Sequence, residues 1–147
     1  MEKTASKEYK SLTGEAGRHF FMYGARAMGE PTESSNTSLI LQQKWEDLSV
    51  YLFSCVLRDM PKNDRFTLGA DMRALVWEVE AALVQISLRA GNRWQLLNTV
   101  DVQAKVLLSM VRLGIRIGSI PEKRYESVSE KLVEVGRMVG GLKKAGR

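Results

Sequence analysis

The fold class of this chain is decided by the segment PEKRYESVSEKLVEVGRMVGGLKK, residues 121–144. Its apolar residues recur at steps of three and four, which places them on one face of an α-helix. These residues are Tyr125, Val128, Leu132, Val135, Val139 and Leu142. Glutamates and lysines fill the positions between them, as in a helix face that meets water. The segment therefore predicts an amphipathic helix that packs against other helices.

Glycines interrupt this helix pattern at positions 136, 140 and 141. Each glycine costs about 1 kcal/mol relative to alanine inside a helix. Gly136 and Gly140 are four residues apart, so we predict that they share one side and let a neighbouring helix approach closely. We predict the same role for Gly69, and we interpret Gly141 as part of a fraying helix end.

Three further helices are predicted upstream, at about Leu39–Asp59, from after Pro61 to Ala90, and at Arg93–Gly118. Each has an apolar seam with helical spacing. The seams are Leu41, Trp45, Leu48, Leu52 and Cys55; then Leu68, Met72, Leu75, Val79, Ala82 and Ile86; then Leu97, Val100, Ala104, Leu107, Val111 and Gly114. Because the connections are short, neighbouring helices must run antiparallel. The predicted fold is all-α, an antiparallel up-down four-helix bundle over residues 39–147.

Capping signals support the helix boundaries. Thr37 or Ser38 is a suitable N-cap for the first helix. Ser119, with Glu122 three residues later, predicts a capping box at the start of the fourth.

The third predicted helix is apolar around most of its circumference. Val106 with Leu113, and Met110 with Ile117, form apolar rows in addition to its seam. A helix of this kind is buried on more than one side, whereas each helix of a four-helix monomer has one side in water. The excess predicts self-association.

Residues 1–38 have the composition of a linker or tail, with several glycines, Pro31 and the run TESSNTS at 32–38. We predict a mostly disordered or loosely docked N-terminal arm. The chain shows no signal peptide and no transmembrane stretch, and it has one cysteine, Cys55. The expected location is the cytoplasm.

The net charge is +5, and residues 1–38 hold five basic and five acidic residues, so the whole excess falls in the predicted bundle. A basic domain favours a polyanionic partner such as nucleic acid, although +5 is also compatible with a simple solubility role. The candidate phosphate-binding residues are Arg89, Arg93, Lys105, Arg112, Arg116, Lys143 and Lys144, with Arg147 at the chain end. Each could instead be a solvated surface residue or a cation near a helix C-terminus.

Catalytic patterns are missing from the sequence. The single histidine, His19, lies in the predicted arm, and no Cys/His cluster, Glu-x-x-His pair or phosphate-binding glycine loop occurs. We therefore expect neither an enzyme nor a metal site or cofactor.

Two motifs carry a resemblance to a known family. They are MPKNDRFTLGADMR, residues 60–73, and RYESVSEKLVEVGRMVGGLKK, residues 124–144. Together with Trp45 they resemble the accessory variability determinant (Avd) proteins of diversity-generating retroelements. The motif positions interpreted as structural are Trp45, Pro61, Arg65, Phe66, Gly69, Tyr125, Gly136, Arg137 and Gly140. Leu142 stands where that family often has tryptophan.

This resemblance implies a four-helix protomer that assembles into a basic pentamer and binds RNA and DNA. It also implies association with a retroelement reverse transcriptase and support of mutagenic retrohoming, in which template-repeat RNA is copied into cDNA. Arg65 and Arg137 are then either nucleic-acid contacts or members of ion pairs, for which Asp64 and Glu134 are nearby candidates. The alternative is a related bundle protein of the kind encoded in 23S rRNA intervening sequences, with no polymerase partner and an unknown role.

Overall fold

The computed structural model describes the backbone of residues 33–146 and the side chains from residue 36 onward. Residues 1–32, which hold most of the predicted arm and His19, lie outside the described part, as does Arg147.

Helices account for nearly all of the described chain, and no strand occurs in it. The helices are α1 (Glu33–Tyr51), α2 (Leu57–Asp59), α3 (Lys62–Phe66), α4 (Leu68–Ser87), α5 (Arg93–Arg116) and α6 (Lys123–Ala145). A π-helical turn, Leu52–Val56, joins α1 to α2, so these three segments form the first long helix. The predicted all-α four-helix bundle is confirmed, with α4, α5 and α6 as the other three long helices.

Side-chain contacts place the four long helices in a ring. In ring order they are Gln42–Glu80 (2.7 Å) between α1 and α4, Gln103–Glu78 (3.0 Å) between α4 and α5, Lys143–Asn98 (3.2 Å) between α5 and α6, and Lys44–Glu134 (3.2 Å) between α6 and α1. Each helix therefore has two neighbours and one side that faces away from the bundle.

The core is built from the predicted seams. All six seam residues of α5 are buried, as are those of α6 except Tyr125, which packs at the edge of the core. Trp45 is fully buried, and its indole Nε1 donates to the backbone oxygen of Val76 at 3.3 Å. This bond satisfies the polar atom of a large core side chain and ties the first helix to α4.

The π-helical turn alters the seam of the first helix. The backbone N–H of Leu57 donates to the oxygen of Leu52, five residues back rather than four. The extra residue rotates the following chain relative to an α-helix, so Val56 is buried while Cys55 is only half-buried. The prediction that Cys55 belongs to the core seam is wrong for this reason.

Two predicted boundaries also differ from the structure. The first helix begins at Glu33, so Thr37 and Ser38 lie inside it and neither is its N-cap. The second predicted helix is broken at Thr67, whose φ and ψ are −106° and −92°. The Thr67 hydroxyl donates to the oxygen of Asn63 at 3.2 Å, and this local bond competes with a continuous helix.

The end of α5 is closed by backbone hydrogen bonds. Gly118 has φ +77°, the left-handed conformation that favours glycine. The N–H of Ser119 donates to the oxygen of Gly114 at 2.8 Å, and the N–H of Gly118 donates to the oxygen of Ile115 at 3.0 Å. This pair of bonds is a Schellman motif. It brings the side chain of Ile120 onto Gly114, where an added Cβ would lie 2.8 Å from Ile120 Cγ1.

The predicted capping box is therefore wrong. Ser119 completes the end of α5 instead of starting α6, and its buried hydroxyl has no hydrogen-bond partner among the described residues. Helix α6 begins at Lys123, and Glu122 at its cap position makes no side-chain capping bond.

Candidate nucleic-acid interface

One outward side of α5 carries most of the candidate binding residues. At steps of three and four, the spacing that aligns side chains on one helix face, this side presents Trp94, Asn98, Asp101, Lys105, Ser109, Arg112 and Arg116. We name this set the basic strip. It spans about 33 Å at 1.5 Å per residue. Its three cations were predicted from their spacing, but Trp94 was not.

Asp101 holds two of the predicted cations. Its Oδ2 accepts from Lys105 Nζ at 3.1 Å and from Lys143 Nζ at 3.5 Å. Lys143 also donates to Oδ1 of Asn98 at 3.2 Å, and its ammonium lies 5.6 Å from the centroid of the Trp94 ring. Lys105 and Lys143 are therefore partly neutralised, and Lys143 fixes the C-terminal turn of α6 against the start of α5.

Arg112 and Arg116 have no ion-pair partner in the described part of the chain, and both are exposed. Nη2 of Arg112 donates to the hydroxyl of Ser109 at 3.2 Å, which orients the guanidinium without neutralising it. Lys144, in the last turn of α6, is likewise exposed. Arg112, Arg116 and Lys144 can therefore meet an incoming anion without first breaking an ion pair.

The connection between α4 and α5 brings Arg89 and Arg93 together. Both line a cleft of about 330 Å³ with Ile86, Ala90 and Gly91. Arg93 is the first residue of α5, where exposed backbone N–H groups favour anions. The sequence predicted that Arg89 and Arg93 cluster at the junction of two helices, and in the structure both line the same cleft.

Arg89 has an unusual backbone. Its φ of 54° is positive, in the region that most side chains avoid. Its N–H donates to the oxygen of Ile86, and the N–H of Ala90 donates to the oxygen of Gln85. This is a second Schellman motif in which arginine occupies the position that glycine usually takes. The periodicity of α4 contained no signal for this conformation.

Exposed apolar side chains cover a different part of the bundle surface. They line the outward side of α4 through its C-cap residue, at Ala70, Ala74, Trp77, Ala81, Val84 and Leu88. They also line the α5 side next to the basic strip through its C-cap residue, at Val102, Val106, Leu113 and Ile117. We name these ten residues the apolar face. Leu113 is 52% exposed and Trp77 64%. The sequence-based expectation of surplus apolar surface on the third helix is met, and the surface extends onto α4.

The motif glycines divide into two kinds. A Cβ added to Gly69 would lie 3.2 Å from Leu57 Cδ2, so the predicted close approach is present there. At Gly136 and Gly140 an added Cβ would meet no atom within 4 Å. The close approach predicted for these two glycines is absent from the described protomer, because their side of α6 opens outward.

The motif arginines are not paired as the sequence suggested. Glu134 pairs with Lys44 of α1, not with Arg137, and Asp64 makes no ion pair with Arg65 in the described part. The backbone oxygen of Arg65 accepts a bond from Arg73 Nη1 at 3.3 Å, while the buried Nε of Arg65 has no partner there. The candidate ion pairs Arg65–Asp64 and Arg137–Glu134 are therefore absent from the described residues.

Two other motif residues, Pro61 and Phe66, lie at the two ends of α3, and both are exposed. Pro61 precedes α3 at its cap position, and Phe66 at the end of α3 is 71% exposed, so it adds little to the core.

Residues 33–146 contain no cluster of three or more histidine, cysteine, aspartate or glutamate side chains able to hold a metal ion. Among the same residues, no helix combines the length and apolar character required to cross a membrane.

The fold and its surface define a small antiparallel four-helix-bundle protein. Comparison with known protein families matches residues 39–145 to the family described as bAvd-like. Because the match spans all four long helices, the chain belongs to this family, and the resemblance drawn from residues 60–73 and 124–144 is confirmed. A comparison with curated proteins found no match.

Proposed function

We propose that this protein is a cytoplasmic, non-enzymatic accessory subunit of a retroelement reverse transcriptase. In this role it binds RNA and DNA and supports mutagenic retrohoming, the copying of template-repeat RNA into cDNA. The observation that carries the proposal is the presence of unpaired cations, Arg112 and Arg116, on one face of a bAvd-like bundle.

Binding is directed to the nucleic-acid backbone. Guanidinium groups match phosphate oxygens well because they can donate two parallel hydrogen bonds. The basic strip offers one acidic group, Asp101, and that group is already neutralised by Lys105 and Lys143. Contacts of this type position a nucleic acid and do not identify its sequence.

Assembly into a homopentamer strengthens this binding. The apolar face is larger than a protomer needs, and covering it with another protomer removes its side chains from water. Five copies at +5 each would carry about +25, which raises the local concentration of a polyanion and allows several weak contacts to act together. The open glycine side of α6 remains available as surface for the polymerase.

The direct test measures mass and RNA binding of the purified full chain. The expected mass in solution is near five times 16.5 kDa. RNA affinity should fall linearly on a plot of log K against log salt concentration. A monomer that does not bind RNA at about 50 mM salt contradicts the proposal.

The polymerase partner is tested separately. Co-purification with a reverse transcriptase encoded beside this gene, and a template repeat nearby, are expected. A gene that lies inside a 23S rRNA intervening sequence, with no such neighbours, supports the alternative bundle protein without a polymerase.

A further inference from the structure

Trp94 is a large aromatic side chain that lies outside the core of the described protomer. It is 54% exposed, although burying tryptophan is strongly favourable. The chain's other two tryptophans differ: Trp45 is buried in the core, and Trp77 lies in the apolar face. Trp94 therefore calls for an explanation other than packing within the protomer.

Trp94 lies at the end of a row of cations, and one of them contacts its ring. The Lys143 ammonium lies 5.6 Å from its ring centroid, Arg93 precedes it, and the basic strip continues from it toward Arg116. A cation covers one part of the indole by a cation–π contact, and more than half of the residue remains open. Phosphate-binding groups and an open aromatic ring are thus side by side at the start of α5.

This combination is what proteins use to hold single-stranded nucleic acids. An aromatic ring stacks on an unpaired base, while nearby cations contact the backbone. In a duplex the bases are already stacked on each other, so the indole has no free base face to meet. Because every base has a π face, stacking here requires no particular sequence.

We infer that Trp94 is a base-stacking platform and that the interface prefers single-stranded RNA or DNA over duplex. This inference rests on the proposed nucleic-acid binding and specifies its substrate class. Arg93 holds an adjoining phosphate, and the cations of Arg112 and Arg116 follow the strand along α5.

The test compares a fluorescein-labelled single-stranded oligonucleotide with a blunt duplex of the same length, using the full-length protein. Trp94→Ala should weaken single-strand binding about tenfold, within the range reported for loss of one base–aromatic stack. Duplex binding should remain within about twofold, because the phosphate contacts are retained. Trp94→Phe should keep most of the single-strand affinity, since phenylalanine retains a ring.

Phe53→Ala is the matched control, because Phe53 is an exposed aromatic residue on the first helix, which does not neighbour α5 in the ring. Neither affinity should change in this variant. Intrinsic tryptophan fluorescence provides an independent measurement. Stacking of a base on Trp94 should quench the fluorescence of the wild-type protein. The Trp94→Phe variant should still bind the single strand but should not show this quenching.

Each outcome is decisive. Equal losses of single-strand and duplex binding in Trp94→Ala, or no loss in either, overturn the stacking platform. A changed solution mass in that variant also overturns it, because Trp94 would then be a contact between protomers. A wild-type protein that binds neither probe contradicts the proposed function itself, and that result is distinct from the other two.

Discussion

The guanidinium of Arg124 binds one carboxylate oxygen of Asp59, with Nη2 at 2.7 Å and Nε at 2.9 Å from Oδ2. This contact ties the end of the first long helix to the first turn of α6. The hydrogen bond from Arg124 is the main reason that the pKa of Asp59 lies below its ordinary value. Tyr51 of the first helix adds a second contact, since its ring centroid lies 6.0 Å from the Arg124 guanidinium carbon.

The Asp59 contact makes stability depend on pH. A carboxyl group whose pKa is lower in the folded state stabilises the fold above its unfolded pKa, about 3.9 for aspartate. This contribution is lost as the pH falls through the folded pKa. We expect the urea midpoint of the wild type to fall steeply below about pH 4. At pH 7 the midpoint of Asp59→Asn should be lower than that of the wild type, and it should fall less when the pH is lowered. Circular dichroism during urea titration measures both.

Glu46 provides a control of opposite sign. Partial desolvation, with the nearby charges of Glu80 and Asp47, raises its pKa, so its ionised form opposes folding at neutral pH. Glu46→Gln should therefore raise the midpoint at pH 7, where Asp59→Asn lowers it. If both variants shift the midpoint in the same direction, the pH dependence does not come from these groups.

Two glycine substitutions should have opposite effects on stability. Gly114→Ala drives a methyl group into the buried Ile120 side chain, and overpacking of this type costs about 1–3 kcal/mol. Gly136→Ala meets open space and should gain up to about 1 kcal/mol from helix propensity. Guanidinium denaturation of both variants measures the difference.

The double variant Gly114→Ala with Ile120→Ala tests whether the Ile120 side chain causes the cost of alanine at position 114. Removing the Ile120 methyl groups should make the alanine at 114 cost less than it does in the wild-type background. Equal costs in both backgrounds would show that Ile120 is not the obstacle. Loss of oligomerisation in Gly136→Ala, with the protomer stabilised, would place that glycine in an interface with another chain.

Arg89→Gly should stabilise the bundle. Glycine adopts a positive φ without steric penalty, whereas other residues incur about 1–2 kcal/mol. Part of this gain is offset by the greater freedom of glycine in the unfolded chain, which leaves about 0.5–1 kcal/mol. RNA affinity should fall at the same time, because a cation of the α4–α5 cleft is lost. Arg89→Ala loses the cation and keeps the strain, so it should weaken binding without a gain in stability.

Charge reversal on the basic strip should separate binding from assembly. Arg112→Glu with Arg116→Glu should abolish RNA binding. The solution mass should remain that of the wild type, because both arginines belong to the basic strip and lie outside the apolar face proposed to join protomers. The milder double variant Arg112→Gln with Arg116→Gln only removes the two positive charges. It should reduce the slope of log K against log salt concentration by about two. Fluorescence anisotropy over a salt series measures the slope.

Arg58→Glu with Lys62→Glu is the matched control for that reversal, since both residues are exposed and lie on α2 and α3, away from the strip. It changes the net charge by the same amount and should retain most of the binding. Equal loss in both double variants would mean that total charge, and not the strip, determines affinity.

Leu113→Glu should convert the proposed homopentamer to smaller species. Leu113 is more exposed than Val102 and Val106, its neighbours in the apolar face. A glutamate at this position would bury an unpaired carboxylate between protomers, which is strongly unfavourable. The protomer should remain folded, because this side chain is outside the core. Analytical ultracentrifugation gives the mass, and Val50→Glu, at an exposed valine of α1, should leave it unchanged. An unaltered mass in Leu113→Glu excludes this residue from the subunit interface.

Apolar spacing was sufficient to predict the bundle, because core burial follows helical periodicity. It identified every buried residue of the α5 seam, including Gly114. It did not identify the π turn, because the extra residue shifts the apolar seam only by one position, and in this helix the residues beside the seam are apolar too. It also assigned Ser119 to the wrong helix, because a serine before proline and glutamate resembles a capping box and the competing Schellman bonds depend on Gly118.

The candidate site was predicted in outline for a similar reason. Spacing along one helix placed Lys105, Arg112 and Arg116 on the same face. The ion pair of Asp101 with Lys105 lies within α5 at i,i+4 spacing. The contact of Asp101 with Lys143 involves α6, so the order of residues in α5 could not reveal it. The positive φ of Arg89 depends on how α4 ends, and nothing in the identity of an arginine indicates that conformation.

The π turn at Leu52–Val56 also bears on how this family is compared. A one-residue difference in length between relatives is usually assigned to a loop. Here the chain can gain or lose a residue inside its first helix, since a relative with one residue fewer keeps the same inward side chains on either side of an uninterrupted α-helix. Alignments of bAvd-like proteins should therefore allow a gap at this position, and those that forbid it will displace either Trp45 or Asp59 from its true equivalent.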